Sequence, residues 1–180
     1  MEQEKQFIVD LCHPKTQQAA FKKLVQEYQK PLYYHIRAIV LNHDDTDDVL
    51  QNTFIKVFAN IQQFKGESKL YSWMYRIATN EALSFIQQRA KKQGISNEEL
   101  QSKTIQKLES DVYFEGEAIQ LKLQKAIALL PEKQQLVFKM KYFQEMKYEF
   151  MSEILETSVG ALKASYHHAV KKIEEFLKQD

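Results

Sequence analysis

Turn-forming residues are scarce in this chain, with four glycines and three prolines among 180 residues. A sandwich or barrel of many short strands needs turn chemistry at close intervals, which this composition does not supply; long helices need little of it. Cysteine is rarer still. Cys12 stands alone, so no internal disulfide can form. No apolar run approaches the roughly 18 residues of a membrane helix. The N-terminus also lacks the basic and apolar segments of a secretory signal, so the expected setting is cytoplasmic, without membrane insertion. An excess of either charge is missing as well: 25 Lys and Arg against 24 Asp and Glu leave a formal net charge of +1. That balance argues against a protein that clamps duplex DNA unaided through a broad basic surface. No Gly-rich phosphate loop, nucleophile elbow or Cys/His ligand set is present, so the reading assigns no catalytic residue, no cofactor and no metal.

What is present is helical periodicity. From Phe21, apolar residues recur at Leu24, Val25, Tyr28, Leu32, Ile36, Ile39 and Val40 in steps of three and four. Pro31 is a candidate break or kink in that helix. Asp44, Asp45, Asp47 and Asp48 open a second amphipathic segment, with Leu50, Phe54, Val57, Phe58 and Ile61 as its expected buried face; carboxylates suit the positive end of a helix. After a loop at Phe64-Lys65-Gly66-Glu67-Ser68, residues 72 to 89 read as a third helix carrying Trp73, Ile77, Ala78, Leu83 and Phe85. Between Lys91 and Gly116 the periodicity weakens and acids outnumber bases, although Ser96-Asn97-Glu98-Glu99 is a capping box that permits a short helix. Periodicity returns from Ala118, and Pro131 stands where another helix would begin, running through Phe143. The expected architecture is all-α, with a first domain at 1–92, a linker at 93–115 and a second domain at 116–180.

Near the C-terminus, helix formers from Lys147 to Leu155 precede Glu156-Thr157-Ser158. A stripe of Val159, Leu162, Tyr166, Ala169, Ile173 and Leu177 follows, the layout of a helix-turn-helix. Ser158 or Thr157 can cap the second helix. Its outer face would present Gly160, Ala161, Lys163, Ala164, His167, His168, Lys171 and Lys172, with small residues early for close approach to bases. A helical hairpin with a solvated, lysine-rich face fits the same pattern.

A resemblance to a known family decides between these. The run Ala128-Leu129-Leu130-Pro131-Glu132-Lys133-Gln134-Gln135-Leu136-Val137-Phe138 looks like the opening of region 4 of the sigma factors. Tyr148-Glu149, Glu153-Ile154-Leu155, Thr157-Ser158-Val159-Gly160, Leu162-Lys163, Ala169 and Lys171-Lys172-Ile173 continue the match without a gap. The resemblance implies that this second helix reads a minus-thirty-five promoter element, with Ser158 at its start. Ser165, His168 and Val170 stand where the family commonly has arginine, and Glu156 where many relatives have glycine. The first departure implies weaker phosphate attraction. The second costs on the order of 1 kcal/mol if Glu156 must be left-handed.

The stretch Asp44-Asp45-Thr46-Asp47-Asp48-Val49-Leu50-Gln51-Asn52-Thr53-Phe54 similarly resembles region 2.2. Read from the residues, Asp47, Asp48, Gln51 and Asn52 form an acidic, amide-bearing outer face suited to a basic partner helix. In the family that partner is the beta-prime coiled coil of core RNA polymerase, and the beta flap is a second polymerase contact. A solvated helix start is the plain alternative; an EF-hand fails for want of glycine and glutamate in place. Phe64-Lys65-Gly66-Glu67-Ser68 and Tyr71-Ser72-Trp73-Met74-Tyr75-Arg76-Ile77-Ala78-Thr79-Asn80 look like regions 2.3 and 2.4, where promoter DNA melts. Lys65, Gly66, Glu67 and Ser68 would frame a pocket for an extruded base, and Phe64 is a candidate for direct DNA contact. Ser72, Arg76, Thr79 and Asn80 would fall on or near one side of the helix, with Asn80 able to read a base edge and Trp73 better explained as core.

Taken together, the resemblance is to sigma-70 family factors of the extracytoplasmic-function group, non-enzymatic subunits that bind core polymerase and promoter DNA and often an anti-sigma factor. Two other readings compete: a helix-turn-helix regulator that never joins the polymerase, and a small helical enzyme using the acidic cluster with His35 or His43.

Overall fold

The computed structural model describes residues 2–66, 68–96, 98–100, 102–103, 106 and 118–178, and among them every regular element is a helix. The chain divides into two compact units, Met1–Ser84 and Phe85–Asp180.

The first unit holds α1 (Glu2–Cys12), α2 (Gln17–Val40), α3 (His43–Asn60), a 3-10 turn (Ile61–Gln63) and the start of α4 (Leu70–Gln93). The boundary between the units thus falls inside α4, a continuous helix. Leu11, Ala20, Leu24, Val57, Ile61, Leu70 and Met74 form one buried cluster, ringed by half-buried Phe7, Phe21, Phe54, Phe64 and Trp73. Pro31 does not break α2, which runs through it. One lost backbone hydrogen bond and a local clash cost about 3 kcal/mol, and the burial of Leu24, Leu32, Ile36 and Ile39 on either side outweighs that at roughly 1.5–3 kcal/mol per side chain. Leu41, at φ 65°, closes α2 with its N–H on the Arg37 carbonyl. Asn42 then starts α3, its side-chain oxygen accepting from the Asp45 N–H at 3.0 Å.

The buried stripe of α3 is rotated from the expected one. Thr46, Val49, Thr53 and Val57 face inward, Leu50 and Phe54 are only half-buried, and Phe58 is 45% exposed. Two threonines can occupy the core because their hydroxyls turn back onto the helix. Thr53 Oγ1 donates to the Val49 carbonyl at 2.8 Å.

In the second unit, α5 (Ala118–Ala128), α6 (Glu132–Tyr142), α7 (Tyr148–Leu155) and α8 (Val159–Leu177) surround Ala126, Ile127, Leu130, Phe138, Ala169 and Ile173. Pro131 sits at the cap of α6 rather than inside it, and its carbonyl accepts from the Gln135 N–H at 2.9 Å. The capping box is formed: Ser96 N–H donates to Glu99 Oε2 at 2.8 Å and Glu99 N–H to Ser96 Oγ at 3.1 Å. Residues 97, 101, 104, 105 and 107–115 of the expected linker lie outside the described residues.

Candidate nucleic-acid and partner interface

Three surfaces carry the residues singled out above. On α3, Asp47, Asp48, Gln51 and Asn52 are all exposed, because Thr46, Val49 and Thr53 hold the opposite side in the core. Tyr33 Oη lies 2.7 Å from His43 Nδ1, which is 3.6 Å from Asp47 Oδ2. His43 therefore belongs to the rim of the acidic row. His35 is buried at 1% exposure, with Nε2 2.8 Å from Thr79 Oγ1, which removes it from any catalytic pairing with the acidic cluster.

The second surface is a cavity of about 260 Å³ lined by Gln63, Phe64, Lys65, Ser68, Trp73 and Arg76. Its size falls just under the roughly 300 Å³ at which small-ligand pockets begin, room for one planar ring system. The loop is shaped by the buried Ile61, whose carbonyl accepts from Phe64 N–H at 3.1 Å, and by Gly66 at φ +71°. A Cβ there would meet nothing within 4 Å, so backbone conformation and not space asks for glycine. Phe64 and Trp73 rings stand 5.2 Å apart at 49°, giving the cavity an aromatic wall, with Lys65 and Arg76 as its cations. Glu67 lies outside the described residues.

Four of the expected residues, Phe64, Lys65, Ser68 and Arg76, thus meet at one cavity. Gln63 was missed, since an amide at the end of a helical turn carries no signal of its own. Trp73, expected as core, packs on the core cluster and lines the cavity as well. Asn80 is exposed one turn beyond Arg76. Ser72 and Thr79 do not share that side: they are 1% and 2% exposed. Thr79 Oγ1 donates to the Tyr75 carbonyl at 2.8 Å and is hydrogen-bonded to the imidazole of His35, so a small hydroxyl residue pays for burial with internal hydrogen bonds. Behind them, burial and the Tyr71 hydrogen bond push the Tyr75 hydroxyl pKa up, and Tyr75 packs on both Tyr71 and His35.

The third surface is α8. Ser158, Gly160, Ala161, Lys163, Ala164, His167, His168 and Lys171 are all exposed, while Leu162, Ala169 and Ile173 are buried. Ser158 is the cap, accepting from Ala161 N–H at 3.3 Å; Thr157 turns its hydroxyl to the Leu155 carbonyl. Glu156 is left-handed, at φ 49° and ψ 40°. No described helix is long and apolar enough to cross a membrane. Among the described residues, no group of three or more His, Cys, Asp or Glu is placed to hold a metal ion.

Sigma-70 region 2 matches residues 24–92, and sigma-70 region 4 matches residues 120–173. The ECF RNA polymerase sigma-E factor of Haemophilus influenzae is 27% identical over 165 residues, covering 86% of each chain. The chain belongs to the sigma-70 family, in its extracytoplasmic-function group. The ECF RNA polymerase sigma factor SigW of Bacillus subtilis is likewise 27% identical to this sigma factor, over 91% of the chain and 92% of the relative. In fold, the sigma factor is similar to RpoE of Bartonella quintana, solved in complex with the anti-sigma factor NepR. That likeness has a TM-score of 0.61 at 21% identity and covers 89% of this chain and 98% of the other. The region 2 match contains the acidic row and the cavity; the region 4 match contains the exposed face of α8.

Proposed function

We propose that this sigma factor binds core RNA polymerase through Asp47, Asp48, Gln51 and Asn52, opens and reads a minus-ten element at the Phe64–Asn80 surface, and reads a minus-thirty-five element with the outer face of α8. It acts in the cytoplasm as a non-enzymatic subunit, with residues 1–92 and 116–180 as its two working modules and 93–115 as the connector. The observation that carries this is the pairing, in one unit, of an exposed acidic row on α3 with an open, aromatic-walled cavity on α4 and the loop before it.

The chemistry follows from that pairing. Extruding a base costs a few kcal/mol, repaid by stacking on an aromatic and by hydrogen bonds to the exposed edges. Phe64 and Trp73 offer the stacking wall, Lys65 and Arg76 attract the phosphates, and Asn80 presents an amide to a base edge. With a net charge of +1 over the whole chain, the protein has little excess positive charge with which to hold DNA alone, which makes anchoring on the polymerase the condition for tight promoter binding. An anti-sigma factor is the further partner that the family suggests, testable by co-purification.

Transcription by core polymerase plus this protein from a randomised promoter library tests the reading and supplies the specificity together. Enriched paired motifs at the two promoter spacings are expected. A protein that core polymerase does not retain would leave only the operator-binding regulator.

A further inference from the structure

Helix α1 lies ahead of the region 2 match, which begins at residue 24, yet it touches both ends of the loop that frames the cavity. At the near end, the Cys12 thiol donates to the Ile61 carbonyl at 3.6 Å and the Gln62 amide donates to the Cys12 carbonyl at 3.0 Å. At the far end, Glu4 Oε1 accepts from the backbone N–H of Leu70 at 3.3 Å. Leu11 is wholly buried, with Phe7 and Ile8 packed against the cluster that contains Ile61, Leu70 and Met74.

The contact at Leu70 answers a local deficit. The first four N–H groups of a helix have no acceptor within it, and α4 has no acidic residue in its first turn. Lys69, whose carbonyl accepts from Trp73 N–H at 3.1 Å, stands at the cap and brings no acceptor side chain. The carboxylate comes instead from a helix 66 residues earlier, where the helix dipole favours it. Glu4 also faces Tyr28, whose pKa is pushed up to about 12 by burial first, then by Glu27, with Glu4 and Tyr71 adding. Tyr28 and Tyr71 rings lie 5.7 Å apart, so the carboxylate sits beside the first turn of α4. Phe64, Lys65 and Ser68 hang between the two anchored ends, and Trp73 and Arg76 project from the turns that the Leu70 contact holds.

We propose that α1 braces the base pocket, with Glu4 and Gln62 as positioning residues that fix the two ends of the 62–70 loop for base capture. This rests on the reading of the cavity as the minus-ten site. The test uses the holoenzyme reconstituted from core polymerase and the full chain, with a single-stranded oligonucleotide carrying the minus-ten sequence obtained from the library. Glu4→Ala and Gln62→Ala are expected to weaken oligonucleotide capture roughly three- to tenfold, the size of one lost capping contact. Retention on core polymerase should stay as in the native protein, and the thermal midpoint should fall by no more than the few degrees that one lost capping contact costs. Glu4→Gln keeps an acceptor oxygen at the α4 terminus and should restore most of the capture. Native capture by Glu4→Ala, alongside impaired capture by Arg76→Ala, would overturn the brace while leaving the pocket in place. Equal losses of capture, core retention and thermal stability in Glu4→Ala and Gln62→Ala would also overturn it, reducing α1 to a general stabiliser. Native capture by both Arg76→Ala and Phe64→Ala would remove the pocket reading itself.

Discussion

His35 and Thr79 meet inside the N-terminal unit, the imidazole Nε2 2.8 Å from the threonine hydroxyl, and so tie α2 to α4 next to Asn80. The same hydroxyl lies 2.8 Å from the Tyr75 carbonyl, so Thr79 links the imidazole to the backbone of α4.

Thr79→Val keeps the volume and removes that hydroxyl. Losing a buried hydrogen-bond partner costs about 1–3 kcal/mol, so the variant should unfold at lower urea concentration than the native protein. Asn80→Ala, one residue on but exposed, should leave the urea midpoint unchanged and relax minus-ten selectivity by roughly 1–3 kcal/mol for each lost bidentate contact. An unchanged base preference in the promoter library would refute the role given to Asn80.

Asp48→Arg places a cation where the acidic row would meet a basic helix. Like charges across an interface cost several kcal/mol, so retention on core polymerase should fall at least about tenfold, more at low salt than at high. Native retention in a pull-down would remove Asp48 from the interface.

Lys139 predicts an unusual pH dependence. It is 5% exposed, its ammonium donating to Gln135 Oε1 at 3.2 Å, and burial lowers its pKa from 10.5 to about 8. Between pH 8 and about 10 the unfolded chain holds a proton that the folded chain has released, so stability should rise with pH there, at most by about 1.4 kcal/mol per unit. Above pH 10 the trend reverses, since Tyr28 and Tyr75 have raised pKa values and stay protonated when folded. Lys139→Met should be more stable than the native protein at pH 7 and lose the rise between pH 8 and 10. Thermal midpoints across that range would show both effects.

Glu156 occupies a left-handed conformation that costs a non-glycine residue roughly 1–2 kcal/mol, partly offset in Glu156→Gly by the greater chain entropy of glycine. A net gain of up to about 1 kcal/mol is expected in the helix-turn-helix unit, visible as a higher thermal midpoint. A lower midpoint would mean that the Glu156 side chain stabilises the turn by more than its backbone costs.

Sequence pattern was a sound guide where one helix face depends only on its own stripe. On α8, burial of Leu162, Ala169 and Ile173 turns every residue from Ser158 to Lys171 that was expected outside to the surface, and the Ser96–Glu99 box needs only four adjacent residues. It failed where a neighbouring helix sets the phase. Each residue turns a helix by about 100°, so a rotation smaller than one position left Phe58 out and Thr53 in, and buried Ser72 and Thr79 while Asn80 stayed exposed.

By itself, then, the sequence determined the helical class, the two-module order and the outward rows of α3 and α8, because periodicity and caps are local. Only the tertiary structure decided that α2 survives Pro31, that Lys139 and His35 are buried, and that the cavity at Phe64 is anchored through Glu4 and Cys12. Those outcomes depend on groups tens of residues apart in the chain, whose contacts exist only once the helices pack.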